Sequence, residues 1–190
     1  MGVRVAISRR KICGFASSEW TFIGLLIGAM VLVVYVGRLS LAEARRTEEV
    51  KQNAVVLLKW FDDLNTDSSA VSAELVSRCK PASVMAGNTE KNTEKTWQGC
   101  RDALSAEGGP LHGVLNPFDA QAPVFNEKCD RSQLVTRGAI VVDEALKMPP
   151  GQSAVFVPMA LNRTLENDLG FRVVVCDKGS FAIKIGESKL

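Results

Sequence analysis

The sequence predicts an α+β protein: a long N-terminal helix, half transmembrane and half amphipathic, packed on a small C-terminal antiparallel sheet. Three observations predict it. Trp20 to Val36 is a run without a single charge. Ser40 to Asn65 contains neither Pro nor Gly and repeats its apolar residues at helical spacing. From Gly138 onward the pattern changes to short segments rich in branched and aromatic residues, which is strand composition. A helix that precedes its strands, rather than alternating with them, is the α+β order.

The first element is a basic leader, residues 1–14. Arg4, Arg9, Arg10 and Lys11 stand there without an acid, although the whole chain of 190 residues carries a formal charge of only +2. A chain so nearly neutral offers no polycationic face for nucleic acid. The second element is the apolar helix, residues 15–37. Trp20 to Val36 alone would rise about 25 Å as a helix, slightly less than the ~30 Å hydrocarbon core. Adding Phe15 to Ser18 and Gly37 lengthens it enough to cross. The basic leader then stays cytoplasmic, and everything after Arg38 is exported. Gly24 and Gly28 spell G-x-x-x-G, a spacing that permits close helix approach.

The third element, residues 38–65, continues as an amphipathic helix. Charges cluster from Glu43 to Lys51, and Val50, Ala54, Leu57, Leu58, Phe61 and Leu64 make an apolar face. That face needs a globular partner. A coiled-coil dimer is the competing reading, but the stripe is too short for sustained heptads. The remaining residues, 66–190, form the exported domain. Ala70 to Cys79 reads as a short helix capped by Asp67 or Ser68. Ala86 to Cys100 is polar, repeats Asn-Thr-Glu-Lys, and reads as an exposed loop; Gly108 to Pro123 is Gly/Pro-rich connecting chain. Four strands are expected at Gly138–Val142, Ser153–Leu161, Phe171–Asp177 and Ser180–Ile185, with a tight turn at Asp177-Lys178-Gly179. Four are too few for an Ig-like sandwich.

Cysteine usage agrees with export. Cys13 precedes the apolar run, while Cys79, Cys100, Cys129 and Cys176 follow it, an even number suited to an oxidising compartment. Four cysteines allow three pairings. The sequential one, Cys79–Cys100 with Cys129–Cys176, is favoured because each bond then staples one region. Reduced, buried thiols are the alternative.

The search for catalytic chemistry returns little. The single histidine, His112, sits in a Gly-rich stretch, and there is no nucleophile elbow, phosphate loop or HExxH. No enzyme and no cofactor are expected. Asn162-Arg-Thr164 is a glycosylation sequon by spelling only. Asp63, Asn65, Asp67 and Glu74 occupy positions 1, 3, 5 and 12 of a calcium-loop pattern, but Ser68 stands where the turn wants Gly. Helix capping is the simpler role for these residues.

The most informative residue is Glu19, an acid at the threshold of the apolar run. It admits three explanations. As part of a signal anchor, its carboxylate reaches the headgroups at small cost and favours a helix start. In a secretory signal peptide cut after Ala44, at Ala42-Glu-Ala44, it has no role, and the apolar run is longer than such peptides need. The third explanation rests on spacing. A short basic leader, Gly14, Phe15, and an acid fifth from Phe15 before an apolar helix resemble the class III leader of type IV pilins and pseudopilins. The resemblance covers about the first forty residues. It implies cleavage by a prepilin peptidase between Gly14 and Phe15, methylation of the new N-terminus, and pairing of Glu19 with the terminal amine of a neighbouring subunit. It also implies a sheet packed on the amphipathic half of the helix and a disulfide near the C-terminus, for which Cys129 and Cys176 are suited.

Ala16-Ser17-Ser18 is more polar than the family's pattern, which points to a minor pilin or pseudopilin rather than a major one. The expected partners are thus a prepilin peptidase, other pilin subunits, the pilus or secretion assembly machinery, and the inner membrane. The expected location is a single inner-membrane pass with the domain periplasmic, then a filament. The alternative is an uncleaved single-pass inner-membrane protein whose periplasmic domain binds a partner.

Overall fold

A computed structural model describes residues 17–66, 73–80, 95–146 and 153–190. Its first element, α1, is an unbroken helix of 49 residues, Ser17–Asn65. The absence of Pro, and of Gly beyond Gly37, leaves nothing to interrupt its hydrogen-bond ladder. The chain divides after Ala42 into two units, Met1–Ala42 and Glu43–Leu190. In the first unit the described residues are all α1.

The second unit is built around the continuation of α1. Val50, Ala54, Leu57, Phe61 and Leu64 recur every three or four residues, and each is at most 2% exposed. This is the stripe that the sequence predicts, and its cover is a sheet. Phe61 meets Phe171 edge to face, with ring centroids 4.7 Å apart. Leu58, also on the predicted stripe, is half-buried and packs against this core. Its Cδ1 occupies the space over Gly186, where an added Cβ would lie only 2.6 Å away.

The sheet contains β1 (Ile140–Leu146), β2 (Val155–Pro158), β3 (Gly170–Cys176) and β4 (Ala182–Lys189), ordered β2-β1-β3-β4 and antiparallel throughout. All four expected strands exist, with shifted limits. β1 runs on past Val142 through two acids because each acid finds an arginine. Asp143 lies opposite Arg172 in register and accepts from its Nε at 3.1 Å. Glu144 accepts from Arg163 Nε at 2.6 Å. β2 is shorter than expected; it lies at the sheet edge and ends at Pro158, which has no N–H to continue a ladder. β4 extends to Lys189 and takes polar residues because it is the other edge. The tight turn expected at Asp177-Lys178-Gly179 joins β3 to β4, closed by the Ser180 N–H donating to the Asp177 carbonyl at 2.9 Å. Its left-handed residue is Ser180, at φ 57°.

Two helices join the sheet and α1. The short helix expected at Ala70–Cys79 is α2, Ala73–Cys79; its expected cap lies outside the described residues, as does the Asn-Thr-Glu-Lys repeat up to Glu94. The exposed-loop reading is corrected at its end. Trp97–Ser105 is a helix, α3, whose N-cap Thr96 accepts from the Gly99 N–H at 3.3 Å. Its buried residues Trp97, Cys100, Ala103 and Leu104 share one face. The Gly/Pro-rich chain after α3 forms turns, as expected. Buried Asn116 organises them by donating to the Arg137 carbonyl at 2.7 Å and accepting from the Phe118 N–H at 3.0 Å. Gly138, at φ 70°, permits that approach, since a Cβ there would lie 2.4 Å from Asn116 Oδ1.

Because Phe61 sits at the centre of this core, Phe61→Ala is expected to cost about 3–5 kcal/mol of stability. The control Val56→Ala, on an exposed position, should change stability by less than about 0.5 kcal/mol. Urea denaturation of the full chain in detergent, followed by near-UV circular dichroism, measures both. Equal losses would contradict this packing.

Candidate functional site

The first candidate site is the uncovered part of α1. Its mean hydropathy reaches 2.2, and it is long and apolar enough to cross a membrane. Nearly every large side chain there is open: Leu25 is 71% exposed, and Met30 and Val33 are 69% exposed. Nothing lies within 4 Å of a Cβ built on Gly24 or Gly28, so the G-x-x-x-G face is also bare. Water does not tolerate so large a continuous apolar surface. A helix suits an apolar solvent, because its backbone groups are satisfied within the segment. Glu19 is the third residue of this helix. Gly14 and Phe15 lie outside the described residues.

The second feature is at the start of the second unit. Lys178, in the β3–β4 turn, donates to Glu43 Oε2 at 2.9 Å. That hydrogen bond, followed by the Lys178 charge, holds the Glu43 carboxyl below its ordinary range; Arg137 and Arg46 act in the same direction. The turn is rigid. Asp177 Oδ1 accepts from the N–H groups of Gly179 and Phe181, both at 2.8 Å. Ser180 Oγ lies 2.9 Å from the Thr136 hydroxyl, which joins this turn to the 3-10 turn Leu134–Thr136.

The third feature is covalent. Cys79 pairs with Cys100 and Cys129 with Cys176, with Cα separations of 4.6 and 5.4 Å, in the range that a disulfide spans. The first ties α2 to α3. The second ties the loop after Phe125 to the end of β3, beside Ala139, Val141 and Val174 on the face opposite α1. Loops of 21 and 47 residues make each bond worth about 3–4 kcal/mol on chain-entropy reasoning.

The remaining candidates are dispersed. His112 and Asn162 are exposed in turns. At the end of α1, Asn65 donates to the Lys189 carbonyl and Asp62 accepts from the Ser188 hydroxyl at 2.6 Å, so this end is tied to β4. Asp67 lies outside the described residues, and among the described ones no three His, Cys, Asp or Glu side chains gather as a metal site. One feature escaped the sequence: a groove between α1 and β4, lined by Val55, Val56, Ile183 and Ile185 together with Glu48 and Lys184. The only hint was the pair Val55-Val56 beside the main stripe.

A depressed carboxyl pKa contributes stability that is present above the ordinary Glu range and is lost as pH falls through the lowered, folded-state value. Lys178→Ala is therefore expected to raise the Glu43 titration midpoint and remove that increment. Carboxyl carbon chemical shifts during an acid titration measure it; an unmoved midpoint would refute the contact.

Comparison of the chain with protein-family models, with curated proteins and with solved structures finds no match.

Proposed function

We propose that this chain is a type IV pilin-like subunit, a minor pilin or pseudopilin, that assembles through its N-terminal helix into a cell-envelope filament. A prepilin peptidase removes residues 1–14 at the cytoplasmic face of the inner membrane, between Gly14 and Phe15. The domain after Arg38 is periplasmic. The work is polymerisation: apolar helices leave the bilayer and bundle, and the disulfide-braced domain faces outward.

One observation carries this reading. An acid stands fifth from Phe15 at the head of an apolar helix with no cover of its own, and that helix continues into the core of an α+β domain. An acid within an apolar helix costs about 2.5–3.5 kcal/mol on insertion scales. Opposite charges about 4 Å apart attract by about 4 kcal/mol at an effective dielectric near 20. The two magnitudes are comparable, so pairing Glu19 with the α-amino group of Phe15 on a neighbour offsets the cost of leaving water. A mispaired neighbour forfeits that offset, so the pair sets the axial register of one subunit against the next.

The polar Ala16-Ser17-Ser18 favours a second reading, an uncleaved single-pass inner-membrane protein whose periplasmic domain binds a partner. Intact mass of the purified protein separates the two. A start at Phe15, heavier by one methyl group, supports the pilin-like subunit; a start at Met1 supports the anchor. A start at Arg45 indicates a secreted domain. For the pilin-like subunit, Glu19→Ala should insert normally but be absent from sheared filaments. Wild-type incorporation of that variant would exclude the charge pairing.

A further inference from the structure

We propose that the second unit carries a peptide-binding site: the backbone of Phe125 pairs with an extended, neutral peptide segment, and the adjoining pocket takes an aliphatic side chain of that segment. The site lies within the second unit alone and needs neither cleavage nor polymerisation of the chain.

The site begins with a short piece of backbone on β1. β2 pairs with Asp143–Leu146, so the start of β1 has a side for another segment. Val124 to Asn126 takes that side. The Ile140 N–H donates to the Val124 carbonyl at 2.7 Å, and the Asn126 N–H donates to the Ile140 carbonyl at 3.0 Å, which makes a parallel bridge between Phe125 and Ile140. In a parallel ladder the residue between two such bonds turns its own N–H and C=O the other way. Phe125 therefore directs both groups away from β1, and neither has a partner among the described residues. The residue itself is only 7% exposed. A buried main-chain donor and acceptor left unmatched cost free energy. Another extended backbone supplies the complement of both.

Pro123, Val124 and Phe125 also line a pocket of about 390 Å³, a size within the range of about 300–1,000 Å³ typical of ligand sites. Leu111, Val114, Leu115 and Ala122 line it as well. Leu115 is 61% exposed, an apolar side chain left open at the pocket. The charged lining comes from α3. Arg101 Nη2 lies 3.4 Å from Asp102 Oδ1, so the lining carries one cation and one anion, already paired. A charged side chain entering here would lose water without meeting an unmatched opposite charge. An aliphatic one gains from burial and bears no such cost. A lipid acyl chain would suit the same lining, but it has nothing to offer the Phe125 N–H and C=O. A peptide supplies both kinds of contact, its main chain to Phe125 and a side chain to the pocket.

The test uses the full chain in lipid nanodiscs, with the Phe125 amide followed by NMR. The probe is the blocked tripeptide acetyl-Ala-Leu-Ala-amide at millimolar concentration. It is expected to move the Phe125 amide signal saturably. Methylating the leucine nitrogen of the probe should weaken binding at least about fivefold, because one main-chain hydrogen bond is lost. Replacing its leucine by glutamate should weaken binding by at least as much. The variant Leu115→Asp, altered at an exposed position, should also bind the leucine probe at least about fivefold more weakly while the amide signals of β1 and β3 stay in place. No movement of the Phe125 signal overturns the inference. Equal binding of the methylated or the glutamate probe, or by the Leu115→Asp variant, overturns it as well. Movement on raising the protein concentration without probe overturns it in favour of a second copy. The mass of the mature chain has no bearing on these outcomes, so this inference and the pilin-like reading fail separately.

Discussion

The structure depends on one uninterrupted helix whose early turns are apolar all round and whose later turns are amphipathic. A helix suits an apolar phase because it pairs its own N–H and C=O groups, but it gains nothing there from an amphipathic face. In water the same helix needs a covered stripe. Hence the composition of α1 changes along its length. Glycine and unbroken apolar side chains occupy the early turns, and charge with a narrow apolar stripe occupies the later ones. The break in character falls where the chain divides into two units, with Glu43 first in the second.

The stripe then dictates the domain. Val50 to Leu64 present one face, and Ile140, Val142, Phe171, Val173 and Val175 close it from the sheet. The opposite face of that sheet has a much thinner cover, the small cluster around Ala139, Val141 and Val174. Much of the remaining chain is turn rather than layer. A domain with one thick core and many turns gains from covalent bracing, which the two disulfides supply. Charged side chains inside the sheet follow the same economy of cover. Asp143 and Glu144 are tolerated in β1 because an arginine reaches each, and Arg172 also lies 4.6 Å over the Phe156 ring.

Two acids on one helix show how solvent sets the worth of a charge. Glu43 is exposed, so its pair with Lys178 locates a turn more than it stabilises the fold. Glu19 is the same side chain at the head of an apolar run, where an unmatched carboxylate is costly and a matched one is directional. On the proposed reading, the first acid fixes a turn within the domain and the second positions one copy against another.

The sequence by itself determined what depends on local pattern. The long helix, its change from uncovered to amphipathic, the existence of four strands and the even cysteine count after the apolar run were all legible, because each is written in neighbouring residues. So was the acid at the fifth place after Gly14, the basis of the proposed site. Only the tertiary structure decided the rest. The order β2-β1-β3-β4, the continuation of β1 through Asp143 and Glu144, the burial of Trp97 on α3, and the meeting of Lys178 with Glu43 all join residues far apart in the chain. Such contacts leave no local periodicity, because their energy comes from a partner that the neighbouring residues do not reveal. Ser180 makes the point at a single residue: beside a glycine, a left-handed serine is a poor local choice, and it becomes the right one once Thr136 is 2.9 Å away.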